Sequence, residues 1–324
     1  MPVNTHNVEA LRAAIAVARP EGNFMPAVYV VEPTSRCNLQ CVMCPNPRMT
    51  PSNWGQADVA RFCQVMDEIA PYCEFLMLYW MGEPLLHPDF ETLLREARKR
   101  IRGRIVVSSN MTCMEESVAD CLLANADVVL CCIDRWEKSA YERVRRGATF
   151  ESVVANTQRL LDRRLPDSIC KVVVKALDIK SNSKEYEGFR AYWEMRGATP
   201  MLAWLNDWAG SLPTVRNAAQ LAIPLVNATR SPCADLWFKM VVNWRGEVQM
   251  CCFDWDYQYP FGQIGAANSL ASIWQSEKLI ALRKEHLAGN WNINSLCNTC
   301  SSWGEARELD AYVDFDEKSY FVVF

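Results

Sequence analysis

Between residues 27 and 210, short apolar runs alternate strictly with amphipathic stretches, and that alternation restricts the fold more than any other feature of the chain. The apolar runs are Ala27 to Glu32, Phe75 to Trp80, Arg104 to Ser108, Asp127 to Ile133, Cys170 to Leu177 and Thr199 to Leu205. Helical patterns fill the gaps over Asp58 to Ala70, Asp89 to Ile101 (with Pro88 just ahead of the first turn), Glu115 to Asn125, Lys138 to Arg145, Phe150 to Arg164 and Lys184 to Met195. Near-continuous apolar runs belong to strands covered on both faces. Repeated strand–helix units imply a parallel sheet with right-handed crossovers. Six units fall short of the eight that close a full barrel. The expectation is an α/β fold, a partial (β/α)6 TIM barrel.

The pattern breaks after about Gly210. Leu212 to Thr229 reads as loop or loose helix. Met240 to Asn243 and Glu247 to Cys252 read as a hairpin around Trp244-Arg245-Gly246, and Ser269 caps one helix running to about Leu287. The division expected is an N-terminal extension at 1–26, the partial barrel at 27–210 and a small domain at 211–324. That last domain is too small for a large core of its own, and a metal centre is a reasonable staple for it.

Half of the residues are hydrophobic, enough for a packed core and against disorder. The net charge of −4 and pI of about 5.6 argue against nucleic acid as a partner. The basic runs Arg98-Lys99-Arg100 and Arg143 to Arg146 read as solvated helix faces. A mildly acidic surface suits a cationic substrate without requiring one. No apolar run approaches the roughly 20 residues of a membrane span, and Met1 to Pro26 lacks the features of a signal peptide. A cytoplasmic location is expected.

In that reducing compartment, fifteen cysteines, an odd number spread along the chain, do not read as a disulfide framework. They sort into metal ligands, reactive thiols and buried apolar residues. Three follow the first strand directly in Glu32-Pro-Thr-Ser-Arg-Cys37-Asn-Leu-Gln-Cys41-Val-Met-Cys44-Pro45. Thiolates are the soft ligands an iron–sulfur cluster needs, and three of them on a four-iron cluster leave one iron open for chemistry. The loop also sits at the C-terminal end of a strand, where parallel α/β folds keep their sites. The alternative is zinc, which prefers four ligands and paired C-x2-C elements.

This C-x3-C-x2-C loop resembles the signature of the radical S-adenosylmethionine (SAM) superfamily, and the resemblance covers nearly the whole chain. It implies that Cys37, Cys41 and Cys44 hold a [4Fe-4S] cluster whose open iron binds SAM, and that reduction yields methionine and a 5′-deoxyadenosyl radical. Further matches follow in order at the strand ends. Met81-Gly82-Glu83-Pro84 resembles the family's G-G-E-P loop, implying that Gly82, Glu83 and Pro84 shape the site for the SAM amino group. Met81 departs from the usual first glycine. Ser108, Ser109 and Asn110 resemble the positions that contact the SAM carboxylate or ribose. Ile133-Asp134 resembles the S-I-D segment, with Arg135 where glycine is common. Met43 stands where an aromatic usually packs near adenine, a soft contact that methionine also makes.

The tail carries Cys233-x17-Cys251-x45-Cys297-x2-Cys300. Four thiolates fully ligate a four-iron cluster, and a structural zinc is the alternative. With Pro232, Gly246 to Cys252, Gly262 to Gly265 and Ile273-Trp274, the pattern resembles the SPASM or twitch module. A full SPASM module holds two auxiliary clusters, and only Cys252 is left over in this segment, so one auxiliary [4Fe-4S] cluster is expected. Cys63, Cys73, Cys113, Cys121, Cys131, Cys132 and Cys170 read as core. His6, His87 and His286 read as isolated and without a catalytic role.

Relatives with a single auxiliary cluster include epimerases and dehydrogenases of aminoglycosides and aminocyclitols, and others modify peptides. Peptide-modifying relatives often carry a leader-binding domain, for which about 26 residues are too few, so a small polar substrate is expected. A substrate radical that loses an electron to the auxiliary cluster ends as a ketone. One that takes hydrogen from a thiol on its opposite face ends as an epimer, the preferred reading, with Cys252 as the catalytic donor. Against this, strand alternation would point Cys252 away from Cys251. The implied partners are a small molecule, a cationic aminoglycoside among them, and an electron donor such as flavodoxin or ferredoxin. A non-enzymatic iron–sulfur electron carrier remains the alternative.

Overall fold

The computed structural model describes residues 4–177, 183–203, 205–212, 215, 230–265, 267–300, 302, 309 and 312. The loose segment expected over Leu212 to Thr229 lies almost wholly outside them. Six strands carry the α/β half: β1 (Val28–Val31), β2 (Phe75–Met77), β3 (Arg104–Ser109), β4 (Val128–Asp134), β5 (Lys171–Leu177) and β6 (Thr199–Ala203). They pair in parallel in the order β6-β5-β4-β3-β2-β1. Every residue of β1, β2 and β4 is buried, as expected of strands covered on both faces.

The helices between them bury one stripe each. In α2 (Val59–Ile69) the stripe is Phe62, Val65, Met66 and Ile69, and the Asp58 carboxylate caps the first turn by accepting from the Ala60 and Arg61 amides. In α3 (Phe90–Arg100) it is Phe90, Leu93, Leu94 and Ala97. The remaining helices of this half are α4 (Glu116–Asn125), α5 (Lys138–Val144), α6 (Phe150–Arg163) and α7 (Ser183–Glu194). The sheet is open, and the partial barrel stands.

Three features depart from the sequence expectation. The N-terminal extension holds a helix, α1 (Thr5–Ala16), capped by Asn4 and burying Val8, Leu11 and Ala14. The single helix expected from Ser269 is two, Leu270–Trp274 and Glu277–Leu287. Ser276 breaks it by capping the second helix, its hydroxyl accepting from the Leu279 amide. Finally, the cysteine-marked segment continues the barrel sheet. Strand β7 (Lys239–Val242) pairs in parallel with β1, and β8 (Glu247–Gln249) and β9 (Pro260–Gln263) extend the sheet antiparallel. Among the described residues this makes one nine-stranded sheet, ending β1-β7-β8-β9. The β7–β8 turn is the expected hairpin, with Gly246 in the left-handed conformation (φ 79°) that its tight turn needs. The chain following β8 returns to the loop that follows β1, where the Asp256 carboxylate accepts from the Thr50 amide and hydroxyl, both at 2.7 Å.

Candidate functional site

The cysteine loop after β1 is held from three sides. Behind it, the Thr34 hydroxyl donates to the Gly55 carbonyl (2.7 Å), and the Ser35 hydroxyl donates to the Asn53 carbonyl (2.8 Å). On one flank, the Gln40 and Val42 amides donate to the carbonyls of Arg146 and Val144, both at 2.9 Å. On the other, the Glu83 amide donates to the Arg36 carbonyl (2.9 Å), and Asn46 Nδ2 donates to the carbonyls of Ser35 (2.7 Å) and Met81 (3.0 Å). Gly82 permits that approach. A β-carbon on Gly82 would lie 2.1 Å from the Thr34 carbonyl oxygen and 2.6 Å from that of Arg36.

Cys37, Cys41 and Cys44 are all half-buried on this loop. Burial pushes the Cys37 thiol up to about 11, with Glu83 and Cys41 adding, and the Cys44 thiol up to about 12, with Cys41 and Cys37 adding. Burial also raises Cys41. Thiols that raise one another stand close, and a bound metal would draw the protons off and remove the repulsion. The loop therefore suits a thiolate-held cluster. Among the described residues no three of His, Cys, Asp or Glu converge on a single ion, a geometry that a cluster offering each thiolate its own iron does not need.

Of the strand ends expected to share this site, those carrying Glu83 and Asn110 hydrogen-bond to the cysteine loop. The buried Glu83 carboxylate accepts from the Asn110 amide (2.7 Å) and the Leu85 amide (3.2 Å), so it also caps the turn that Pro84 opens. Burial raises its pKa, and the Asn110, Leu85 and Ser109 hydrogen bonds oppose the rise. Asn110 Nδ2 donates to Asn38 Oδ1 (3.0 Å) and lies 3.9 Å from the Cys37 sulfur. The Ser108 hydroxyl is 3.2 Å from the Cys132 sulfur. Met43 is half-buried, and its carbonyl accepts from the Trp208 indole (2.9 Å).

Asp134 is fully buried in a left-handed conformation (φ 62°), paired at 2.5 Å with Arg145 Nε. Its Oδ1 has no hydrogen-bond partner among the described residues. Arg145 is a correction to the reading of residues 143–146 as a solvated face. Its side chain is 11% exposed, and its charge opposes the rise of all three loop cysteines. The carbonyls on either side of it pin the cysteine loop, and that turns the guanidinium inward.

The second cysteine group lines one cavity, formed by Cys233, Cys251, Cys297 and Cys300 with Cys252 and Met250. Burial pushes Cys251 well up, and Cys252, Cys300 and Cys297 add to it, so these sulfurs also converge. Strand β8 ends at Gln249, before the vicinal pair, so the alternation argument against Cys252 does not apply. His286, read from sequence as isolated, is 2% exposed against this group: Nε2 is 3.4 Å from the Cys297 sulfur, and Nδ1 accepts from the Cys233 amide (3.3 Å). Its place on the inward stripe with Leu279, Leu282 and Arg283 was the available signal. His87 is structural, its ring bridging the Ala57 carbonyl (2.8 Å) and the Asp89 amide (3.0 Å). Of the cysteines expected in the core, Cys73, Cys121, Cys131, Cys132 and Cys170 are buried. Cys63 and Cys113 are only half-buried, because Cys63 lies on the edge of α2 and Cys113 in the loop after β3.

Two contacts tie the groups together. The Trp80 indole donates to the Cys252 carbonyl (2.8 Å), and Trp208, bonded to Met43, packs edge-on against Phe253 (6.0 Å, 82°).

Comparison with known proteins agrees with this geometry. Residues 31–177 match the radical SAM superfamily, and residues 233–301 match the SPASM iron–sulfur cluster-binding domain. The chain is 27% identical to the tungsten-containing aldehyde ferredoxin oxidoreductase cofactor-modifying protein of Pyrococcus furiosus, covering 84% of this chain and 86% of that one. It is 21% identical to the PqqA peptide cyclase of Streptomyces rochei, covering 70% and 69%. Among solved structures, BtrN in complex with AdoMet and 2-DOIA shares the fold with a TM-score of 0.60 at 17% identity, covering 86% of this chain and 94% of that one. Streptococcus suis SuiB bound to S-adenosylmethionine shares it at 0.64 and 12%, covering 85% and 71%. The chain carries a radical SAM domain followed by a SPASM domain, and the cofactors that these imply are S-adenosylmethionine and [4Fe-4S] clusters.

Proposed function

We propose that this enzyme inverts a carbinol carbon of a small polar substrate, a sugar, aminocyclitol or aminoglycoside, with Cys252 as the hydrogen donor. In this reading Cys37, Cys41 and Cys44 hold the SAM-binding cluster, and Cys233, Cys251, Cys297 and Cys300 hold one auxiliary cluster. Gly82, Glu83, Pro84, Ser108, Ser109, Asn110, Asp134 and Met43 shape the SAM site between them. Residues 27–210 thus supply radical generation and 211–324 the auxiliary centre, with 1–26 as an extension packed on both. When loaded, the first site supplies a 5′-deoxyadenosyl radical by one-electron reductive cleavage of SAM.

The observation that carries the reading is the position of Cys252. It is half-buried, it lines the cavity of the second cysteine group, and Trp80 ties its backbone to the edge of the Met81–Pro84 loop. Burial pushes the phenol of Tyr79, beside Trp80, well up, with Cys132, Tyr312 and Cys252 adding, so Cys252 stands near the end of the second barrel strand. The hydrogen count closes. With the SAM site loaded, one hydrogen atom would leave carbon for the radical it supplies, and the Cys252 S–H would return one from the opposite face. The thiyl radical left behind takes one electron and one proton. A low-potential carrier of the flavodoxin or ferredoxin class supplies that electron and the one that cleaves SAM.

Dehydrogenation is the second reading. It is favoured by four cysteines around one cavity, a place for an electron acceptor, and by similarity to BtrN, whose structure is described with AdoMet and 2-DOIA. Peptide substrates enter through SuiB, which is described with its precursor peptide SuiA, and through the PqqA peptide cyclase.

The test is turnover of candidate aminocyclitols and aminoglycosides in deuterated water. The wild type is expected to place one solvent deuterium at the inverted carbon. Cys252→Ala is expected to form 5′-deoxyadenosine without epimer. Ketone without deuterium, from both proteins, establishes dehydrogenation instead.

A further inference from the structure

Two different cysteines meet the two ring nitrogens of His286. The Cys233 amide points at Nδ1 across 3.3 Å, and a backbone N–H only donates, so Nδ1 accepts. An imidazole that accepts at Nδ1 is neutral and carries its proton on Nε2. Nε2 faces the Cys297 sulfur at 3.4 Å, so nitrogen is the donor and sulfur the acceptor. A second donor converges on the same sulfur. Asn294 Oδ1 accepts from the Cys297 amide (2.7 Å), which fixes the amide orientation and aims Nδ2 at the Cys297 sulfur (3.3 Å). The imidazole is held edge-on by Trp291 (5.2 Å, 84°), the ring over which the Arg230 guanidinium stacks. Arg230 in turn donates to the Cys297 carbonyl (2.6 Å).

We propose that His286 is a positioning residue that sets the reduction potential of the auxiliary cluster, by donating Nε2–H to the Cys297 sulfur while Nδ1 holds the backbone of Cys233. This rests on the reading that Cys233, Cys251, Cys297 and Cys300 hold such a cluster. The physical reason is the charge on sulfur. An added electron increases the negative charge on the cluster and its thiolates, so an N–H donor stabilises the reduced state more than the oxidised one. The potential therefore rises. A neutral imidazole does this without placing a full positive charge in a buried site. The device also bears on the reaction. A higher potential makes the cluster a stronger acceptor of an electron from a substrate radical, in competition with hydrogen return from Cys252.

The test uses the full-length chain in the background Cys37→Ala, Cys41→Ala, Cys44→Ala, so that only the auxiliary site can be loaded. Iron content and EPR-monitored reductive titration are compared for the background alone, with His286→Phe, and with His286→Gln, whose amide nitrogen can reach the place of Nε2. About four irons per chain are expected in all three. At the background's midpoint, His286→Phe should show a reduced-to-oxidised ratio about tenfold lower, a fall of about 59 mV for a one-electron couple. His286→Gln should restore most of that shift. A background without iron overturns the auxiliary-cluster reading itself. Four irons throughout, with His286→Phe at the background's potential, overturns only the role of His286. If His286→Phe loses its iron, His286→Gln decides: iron retained at the background's potential supports the donor, and iron lost in both assigns His286 to packing and overturns the proposal.

Discussion

The indole nitrogen of Trp80 donates a 2.8 Å hydrogen bond to the carbonyl oxygen of Cys252, joining the end of the second barrel strand to the vicinal cysteines of the C-terminal segment. The same indole packs against Tyr257, with ring centroids 5.4 Å apart. Trp80 immediately precedes the Met81–Pro84 loop, so one side chain relates the candidate SAM site to the candidate hydrogen donor. Trp80→Phe keeps the ring contact and removes the donor. A net hydrogen bond contributes about 1 kcal/mol, so product formed per 5′-deoxyadenosine should fall roughly fivefold. SAM cleavage itself should change little. Equal losses in both would mean that Trp80 supports the fold and does not position Cys252.

Gly82→Ala tests the contact between the two loops. The added β-carbon meets backbone oxygens of Thr34 and Arg36, which cannot rotate away as a side-chain tip would. Overpacking of this kind costs about 1–3 kcal/mol. Because the strain falls on the residues just before Cys37, iron at the first site should drop while the second site keeps its own. Full iron content and an unchanged melting temperature would show that the loops separate without cost.

Glu83→Ala addresses cofactor affinity. The carboxylate is buried and bonded to the Asn110 and Leu85 amides, so the variant loses those bonds together with any bond to the SAM ammonium group. A hydrogen bond to a charged group contributes about 1.5–3 kcal/mol, a loss of roughly 10- to 150-fold in SAM affinity. The measurement is equilibrium binding to the reconstituted protein, with iron content as the control for folding. Unchanged affinity would leave Glu83 as a turn cap alone.

What was legible in the sequence had a local cause. The barrel strands announce themselves as apolar runs, and the cysteine loop and the Gly82-Glu83-Pro84 turn lie at the strand ends where the alternation puts them. The parallel pairing of β7 with β1 joins residues more than 200 apart, and no periodicity encodes it. Helix α1 escaped notice because its buried stripe has only three apolar residues, Val8, Leu11 and Ala14, beside the polar Asn7. Arg145 looked solvated among its arginine neighbours, and the inward turn comes from the partners of Val144 and Arg146. His286 was visible as an inward position on its helix, and only the tertiary fold brings it against Cys297.

The pairing of β7 with β1 also creates a buried carboxylate whose titration should be measurable. Glu32, 0% exposed at the end of β1, accepts from the Tyr257 hydroxyl (2.5 Å), the Met81 amide (3.1 Å) and the Trp244 amide (3.3 Å). Burial pushes it up to about 7, and the Tyr257 hydrogen bond opposes that rise. In the unfolded chain a glutamate titrates near 4.3. Between about pH 4.5 and 7 the folded state therefore binds more protons than the unfolded one. Stability attributable to Glu32 falls as pH rises through that window and levels off above about 7. Tyr257→Phe removes a bond to a neutral acid at low pH, about 0.5–1.5 kcal/mol, and a bond to a carboxylate at high pH, about 1.5–3 kcal/mol. The variant should thus lose more melting temperature at pH 9 than at pH 6, both measured on reconstituted protein under anaerobic conditions. An equal loss at the two pH values would mean that Glu32 keeps one protonation state across the range. A larger loss at pH 6 would reverse the sign and remove Glu32 as the titrating group.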